Sequence, residues 1–145
     1  MSLFSSMSVS ASGMAAQRMR ASLLVENLAN SETTRTPEGG PYRRKDAVFV
    51  SDPEPSPFRE AFEAELGGAG TGVRVAEVIE DTREPEMRYQ PGHPDADESG
   101  YVAFPRINPA EDMVDLLNAS RGYEANVSAI AAVKNMIHRS IDLLR

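Results

Sequence analysis

The stretch that decides the fold is residues 108–144, NPAEDMVDLLNASRGYEANVSAIAAVKNMIHRSIDLL. It opens as helices open. Asn108 can cap, Pro109 suits the first helical position, where its missing N–H does no harm, and Glu111 stands at the third position to complete a capping box. From there Met113, Leu116, Ser120, Tyr123, Val127, Ile130, Ile137, Ile141 and Leu144 recur at helical spacing. Leu117, Val133 and Met136 widen the stripe and Lys134 interrupts it. The spacing predicts one helix of about ten turns, roughly 54 Å long at 1.5 Å per residue.

Working outward, all ten prolines lie between Pro37 and Pro109, so the first 36 residues lack proline as the last 36 do. In the N-terminal stretch Met7, Ala11, Met14, Ala21, Val25 and Leu28 repeat the three-four spacing, with Arg18 at the missing step and Leu24 beside it. A helix from about residue 4 to 30 follows, roughly 40 Å long. Gly13 inside it costs about 1 kcal/mol against alanine, tolerable where another helix comes close. Matching periods predict that the two terminal helices pair at a shallow left-handed crossing. Their seam positions are often small or flexible and bury little area, so the ends order fully only when neighbouring subunits cover them. The pattern points to assembly before chemistry.

Between the helices the period changes. Residues 46–50, 72–81, 87–89 and 101–104 read as strands. Pro53, Pro55 and Pro57 make a stiff connector, residues 58–66 a short helix, and residues 67–72 a loop. The expected fold is therefore mainly α with a small β region. Residues 1–30 and 108–145 form paired terminal helices, and residues 31–107 a middle region of β-hairpin or small sheet with loops.

The net charge of −7 is unevenly spread: residues 1–45 carry 6 basic and 3 acidic groups, residues 46–112 carry 5 and 16, and residues 113–145 carry 4 and 3. An acidic middle repels nucleic acid, and neither end has the dense Lys/Arg clustering that phosphate tracking requires. Absence of cysteine excludes disulfides and thiolate chemistry. Serines interleave the first apolar residues, unlike a cleaved secretory signal, and no apolar run suggests a membrane span.

Candidate chemistry is thin. Asp95, Asp97, Ser99 and Gly100 resemble the first half of an EF-hand loop, but Arg106 stands where its bidentate carboxylate belongs. His93 and His138 lack ligand partners at helical spacing. The Gly67–Gly72 run lacks the Lys and Ser/Thr of a phosphate loop. No catalytic, cofactor-binding or metal residue is expected. Arg43, Arg44 and Lys45 form a basic cluster suited to pairing with the acidic middle of a neighbouring copy, which would make assembly salt-sensitive.

Asn27-Leu28-Ala29-Asn30 with Thr33, Thr34, Gly39, Gly40 and Pro41-Tyr42-Arg43-Arg44-Lys45 resembles the N-terminal signature of the flagellar rod and hook axial proteins. Glu111-Asp112-Met113 through Ser120-Arg121-Gly122-Tyr123-Glu124-Ala125-Asn126 resembles their closing signature, and Tyr89-x-Pro91-Gly92-x-Pro94-x-Ala96-Asp97 with Gly100-Tyr101-Val102 is similar to a proximal rod member. Arg106-Ile107-Asn108 departs from the family, which usually has Asn and Val after the proline. The resemblance implies a non-enzymatic structural subunit of the proximal rod, a hollow drive shaft that spans the periplasm, surrounds the export channel and transmits torque. It implies export unfolded by the flagellar type III apparatus. The implied partners are other rod proteins (FlgB, FlgF, FlgG and FliE), further copies of the chain, and the MS ring or surrounding rings. No cofactor is implied.

The assembly interface expected from the stripes and the resemblance comprises Met14, Val25, Leu28, Ala29 and Asn30 on the first helix. On the second it comprises Met113, Leu117, Arg121, Tyr123, Asn126, Val127, Ile130 and Ile137. Three rival readings are a soluble coiled-coil adaptor, another rod or hook axial protein, and a small hydrolase using the acidic middle.

Overall fold

The computed structural model describes residues 3–51 and 72–143. Along the chain run α1 (Leu3–Ala29), β1 (Lys45–Ser51), β2 (Val73–Glu80), β3 (Glu86–Tyr89), β4 (Tyr101–Phe104) and α2 (Pro109–Asp142). The expected connector and short helix at residues 53–66, and most of the expected glycine loop, lie outside the described residues. Among those described, no helix is long and apolar enough to cross a membrane.

α2 begins at the expected residue. Asn108 is extended, and its side chain accepts from the Ala110 amide at 3.2 Å. The bond goes to the second amide of the helix and not the third, and Glu111 stays exposed. Asn108 thus satisfies one of the orphan donors without the reciprocal half of a capping box.

The two helices pair antiparallel. A Cβ added at Gly13 would stand 3.0 Å from Asn126 Oδ1, and one at Gly122 would stand 3.2 Å from Gln17 Cδ. Arg20 Nη2 reaches Asp115 Oδ2 at 3.3 Å. Contacts therefore advance along α1 as they retreat along α2. The crossing is built on small side chains, with Ala16 5 % and Ala119 1 % exposed. Here the structure corrects the expected stripes. The face of α2 turned inward carries Asp112, Ala119 and Val133, with Gly122 and Asn126 part-buried among them, whereas Met113, Leu117, Tyr123 and Val127 face outward. On α1 the buried residues are Ala16, Leu23, Leu24 and Asn27, while Ala11 and Val25 are exposed. Backbones approach where side chains are smallest, so the large apolar residues are left on the outer surface.

The middle contains two hairpins rather than one sheet. β1 pairs antiparallel with β2, with an irregularity between Val48 and Phe49, and β3 pairs antiparallel with β4. The first hairpin lies along α1. Lys45 is bonded to Asn27 at one end, and the Val73 amide donates to Ser12 Oγ at 3.1 Å at the other. From Lys45 to Ser51 the strand spans roughly 20 Å and from residue 12 to 27 the helix spans roughly 23 Å, so the two elements nearly match in length. From the second hairpin and the segment after it, Val102, Phe104 and Ile107 join Leu23 and Leu24 among the buried apolar residues. That is a small core for the chain, as its composition implies.

The suspected calcium loop is a turn. Asp97 Oδ1 accepts from the amides of Ser99 and Tyr101, each at 2.8 Å, and Asp95 Oδ2 accepts from Thr34 Oγ1 at 2.8 Å. These carboxylates hold the loop shape and tie it to the segment after α1. His93 accepts from the Asp95 amide through Nδ1 and meets Phe104 edge-on.

Candidate assembly surface

Two features prepare the molecule to be a subunit: an outward apolar stripe on each helix, and a polar junction that fixes where the helices start and stop.

The junction centres on Asn27, which has no exposed surface. Its amide Nδ2 donates to the Lys45 carbonyl at 2.9 Å, while its Oδ1 accepts from the Lys45 amide at 2.9 Å and from the Tyr42 hydroxyl at 3.0 Å. A side-chain amide has the donor and acceptor of a peptide group, so Asn27 completes the β1 backbone as a neighbouring strand would. Lys45 Nζ pairs with Glu26 Oε1 at 2.7 Å. One residue earlier, Arg44 reaches the first turn of α2: its Nη1 lies 2.8 Å from Asp112 Oδ1, and its Nε lies 3.1 Å from Asp46 Oδ2. Residues 44–46 thus fasten the end of α1 to the start of α2. Arg44 and Lys45 are spent inside the chain, which corrects the expected role of the whole basic cluster in meeting a neighbour. Of these three, Arg43 alone has no ionic partner among the described residues, and it donates to the Asp81 carbonyl at 3.3 Å.

Burial pushes the Asp112 carboxyl above its ordinary range, and Arg44 opposes that rise. Neither Asp112 oxygen has an aligned hydrogen-bond partner among the described residues, so the ion pair alone compensates its desolvation. For Arg44, burial pulls the guanidinium down, but the hydrogen bond to Asp46 and the charges of Asp46, Asp112 and Asp115 carry it above its usual value.

Burial, then the charge of Glu26, pushes the Tyr42 phenol up to about 12. Because the folded value lies above the ordinary value of 10, the protonated phenol's contribution is complete below pH 10 and is lost as pH rises through about 12. We expect spectrophotometric titration of the folded chain to show a phenolate step near pH 12 that disappears in Tyr42→Phe and moves down in Glu26→Gln. A Tyr42 step that Glu26→Gln leaves in place would refute this account of the junction.

The outward stripe is the other half. On α2 Met113 is 54 % exposed, Leu117 60 % and Val127 44 %, with Tyr123 on its shoulder and exposed Arg121 between. At 100° per residue Leu117 lies half a turn around from Asn126, which faces α1. On α1 Val25 is exposed and Ala29 with it, while Met14 and Leu28 are half-buried. Ile130 and Ile137 are likewise half-buried, on the side of α2 that carries Ala119 and Asn126. The two expected asparagines are engaged within the chain. Asn30 Nδ2 donates to the Glu26 carbonyl and its Oδ1 accepts from Thr33 Oγ1 at 3.2 Å, whereas Asn126 donates to the Gly122 carbonyl at 2.8 Å. Asn27, Arg44 and Asp112 are the residues that stripe reasoning missed. Asn27 stood inside the quoted N-terminal signature, but its position off the apolar stripe reads as surface, and the structure corrects that by burying it fully.

Among the described residues no group of three or more His, Asp or Glu side chains is placed to hold a metal ion. A marginal core, an antiparallel pair of terminal helices and large apolar residues left on the outside define a subunit suited to assembly.

The comparisons with known proteins agree. Residues 98–143 match the family described as flagellar basal body rod FlgEFG protein C-terminal. The chain is 40 % identical to the flagellar basal-body rod protein FlgC of Borreliella burgdorferi, with 100 % of this chain and 99 % of that protein aligned. It is 39 % identical to the FlgC protein of Bacillus subtilis, with 99 % of each chain covered. The FlgC protein of Salmonella typhimurium is 36 % identical, covering 99 % of this chain and 98 % of its own length. The chain belongs to the FlgC family of flagellar basal-body rod proteins, and it is a structural component of the rod at the flagellum basal body.

Proposed function

We propose that the chain builds the wall of the proximal rod, with residues 1–30 and 108–145 as its inner axial domain and residues 31–107 packed outside, and that it has no enzymatic role. The observation that carries this reading is the outward placement of the large apolar residues of both helices, Val25 on α1 and Met113, Leu117 and Val127 on α2. A fully buried apolar side chain contributes about 1.5–3 kcal/mol, so covering these faces with neighbouring helices would supply stiffness along a hollow shaft that the small internal core does not. Repetition by a heterologous contact generates an open helix around a channel. The neighbours are further copies and the rod proteins FlgB, FlgF, FlgG and FliE, with the MS ring and surrounding rings beyond, and the subunit arrives through the flagellar type III apparatus. Met14, Leu28, Ala29, Ile130 and Ile137 flank the contact, Arg121 and Tyr123 sit on its rim, and Asn30 and Asn126 fix the helices internally.

A strain lacking the chain, complemented with it, should yield basal bodies that contain it in the rod and should swim. If complemented cells swim while the chain is missing from purified basal bodies, this reading fails. A soluble adaptor reading instead requires a stable, fully helical dimer in dilute solution, whereas this surface predicts helix gained on mixing with rod partners, read by circular dichroism.

A further inference from the structure

A cleft of about 90 Å³ opens between the loop at Gly39–Pro41 and the segments around Asp81–Pro85 and Pro105–Arg106. It is lined by Arg43, Arg44, Arg83 and Arg106 against a single carboxylate, Asp81. Arg83 and Arg106 come from residues 46–112, where acidic groups outnumber basic ones by 16 to 5, and Arg43 and Arg44 from just before them. Two of the four arginines are internally committed. Arg44 holds Asp112 and Asp46, and Arg83 Nε lies 2.9 Å from both Asp81 oxygens. The hydrogen bonds from the Arg83 side chain and amide hold the Asp81 carboxyl down at about 2, so it stays ionised and gives its charge to Arg83.

That leaves Arg43 and Arg106 without an ionic partner. Arg106 makes no hydrogen bond or ion pair among the described residues, and its charge reaches only the edge of the Asp81 and Glu86 fields. Yet its backbone is held firmly, between Pro105, which is fully buried, and Ile107, which is 7 % exposed. Pro41, Pro85 and Pro105 form the remaining walls. Proline-stiffened backbone carrying two uncompensated guanidiniums loses little freedom on binding an anion, and guanidinium is the group suited to planar, two-pronged recognition of a carboxylate.

We propose that this cleft receives a side-chain carboxylate from a second copy of this chain. The cleft has room for one carboxylate. The acidic surface of the same chain supplies the complementary charge, since Glu77, Glu98 and Glu111 are exposed carboxylates away from the cleft. Two acidic middles would otherwise repel when brought side by side, and a carboxylate seated between Arg43 and Arg106 turns that repulsion into a contact that selects register. The proposal rests on the reading of the chain as a rod subunit.

Because arginine does not couple to carboxylates but lysine does, Arg106→Lys keeps the charge and makes the cleft reactive to a zero-length carbodiimide. Basal bodies are prepared from cells expressing R106K, treated with the reagent and separated under denaturing conditions, and the bands at one and at two chain masses are digested for mass spectrometry. The expected product is an amide joining position 106 to an Asp or Glu in the band at two chain masses, with its yield falling at least fivefold in R43Q/R106K. Coupling only within one chain, only to a different protein, or not at all in basal bodies that do contain R106K overturns the proposal and leaves the rod reading intact. Absence of R106K from swimming cells' basal bodies overturns both.

Discussion

Val127→Asp leaves the isolated chain folded and abolishes swimming. Val127 is 44 % exposed on the outer face of α2, so a charge there meets water in the free subunit, and surface substitutions of this kind usually change stability by about 0.5 kcal/mol or less. On the proposed assembly the same position is covered by a neighbour in the rod. A carboxylate without a partner in an apolar contact costs several kcal/mol, on the order of 3–5 by analogy with broken buried pairs, and the cost repeats at every copy. The affinity of each contact then falls by two to three powers of ten at 1.4 kcal/mol per tenfold. Ala119→Asp is the contrast, because Ala119 is 1 % exposed at the crossing with α1. That change destroys the helix pair in the free chain itself. Thermal melts of the two purified variants and swimming of complemented cells separate the cases: Val127→Asp should melt like the parent and not swim, and Ala119→Asp should fail both. Full motility of Val127→Asp would refute the assignment of the outer face.

The long helices, their antiparallel pairing and the four strands were legible because each rests on a local signal. Proline exclusion bounded the helices, Asn108-Pro109 marked the start of α2, and runs such as 73–80 are rich in β-branched residues. Which face turns inward was not legible. Periodicity finds the stripe with the largest apolar residues, Met113, Leu117, Val127, and a monomeric protein would bury it. In this chain the intramolecular contact uses Gly13, Ala16, Ala119 and Gly122, because small side chains let backbones approach, and the larger stripe is left for others. The basic cluster failed in sequence for a related reason. Arg43, Arg44 and Lys45 are adjacent, but their side chains leave a β-like backbone toward different surroundings, one to Asp112, one to Glu26, and one to the cleft. Charge composition reads the sum and cannot see that division. Asn27 gave no periodic signal at all, since its value lies in matching a peptide group eighteen residues away.

That match makes Asn27 a costly side chain to remove. Asn27→Ala should lower the unfolding free energy of the full chain by about 3 kcal/mol. Three hydrogen bonds disappear, two of them with the backbone of Lys45 and one with Tyr42, and their partners lie at a site where Asn27 itself had no exposure. An intramolecular hydrogen bond contributes about 0.5–1.5 kcal/mol net, but a buried partner left unsatisfied costs about 1–3 kcal/mol, and partial access of water to the vacated volume keeps the total below that sum. Tyr42→Phe removes only one of the three and leaves Oδ1 bonded to the Lys45 amide, so it should cost about 1 kcal/mol. Urea unfolding followed by circular dichroism gives both values from the shift in midpoint at unchanged slope. The consequence reaches beyond Asn27, because Lys45 is the neighbour of Arg44, and Arg44 holds Asp112 in the first turn of α2. Loosening the first bond lets the far helix turn relative to α1, and the outer stripes of the two helices then no longer present one continuous face to a neighbour. Asn27→Ala should therefore assemble poorly even below its melting temperature. A loss of less than 1 kcal/mol with normal assembly would show that the junction does not set the helix positions.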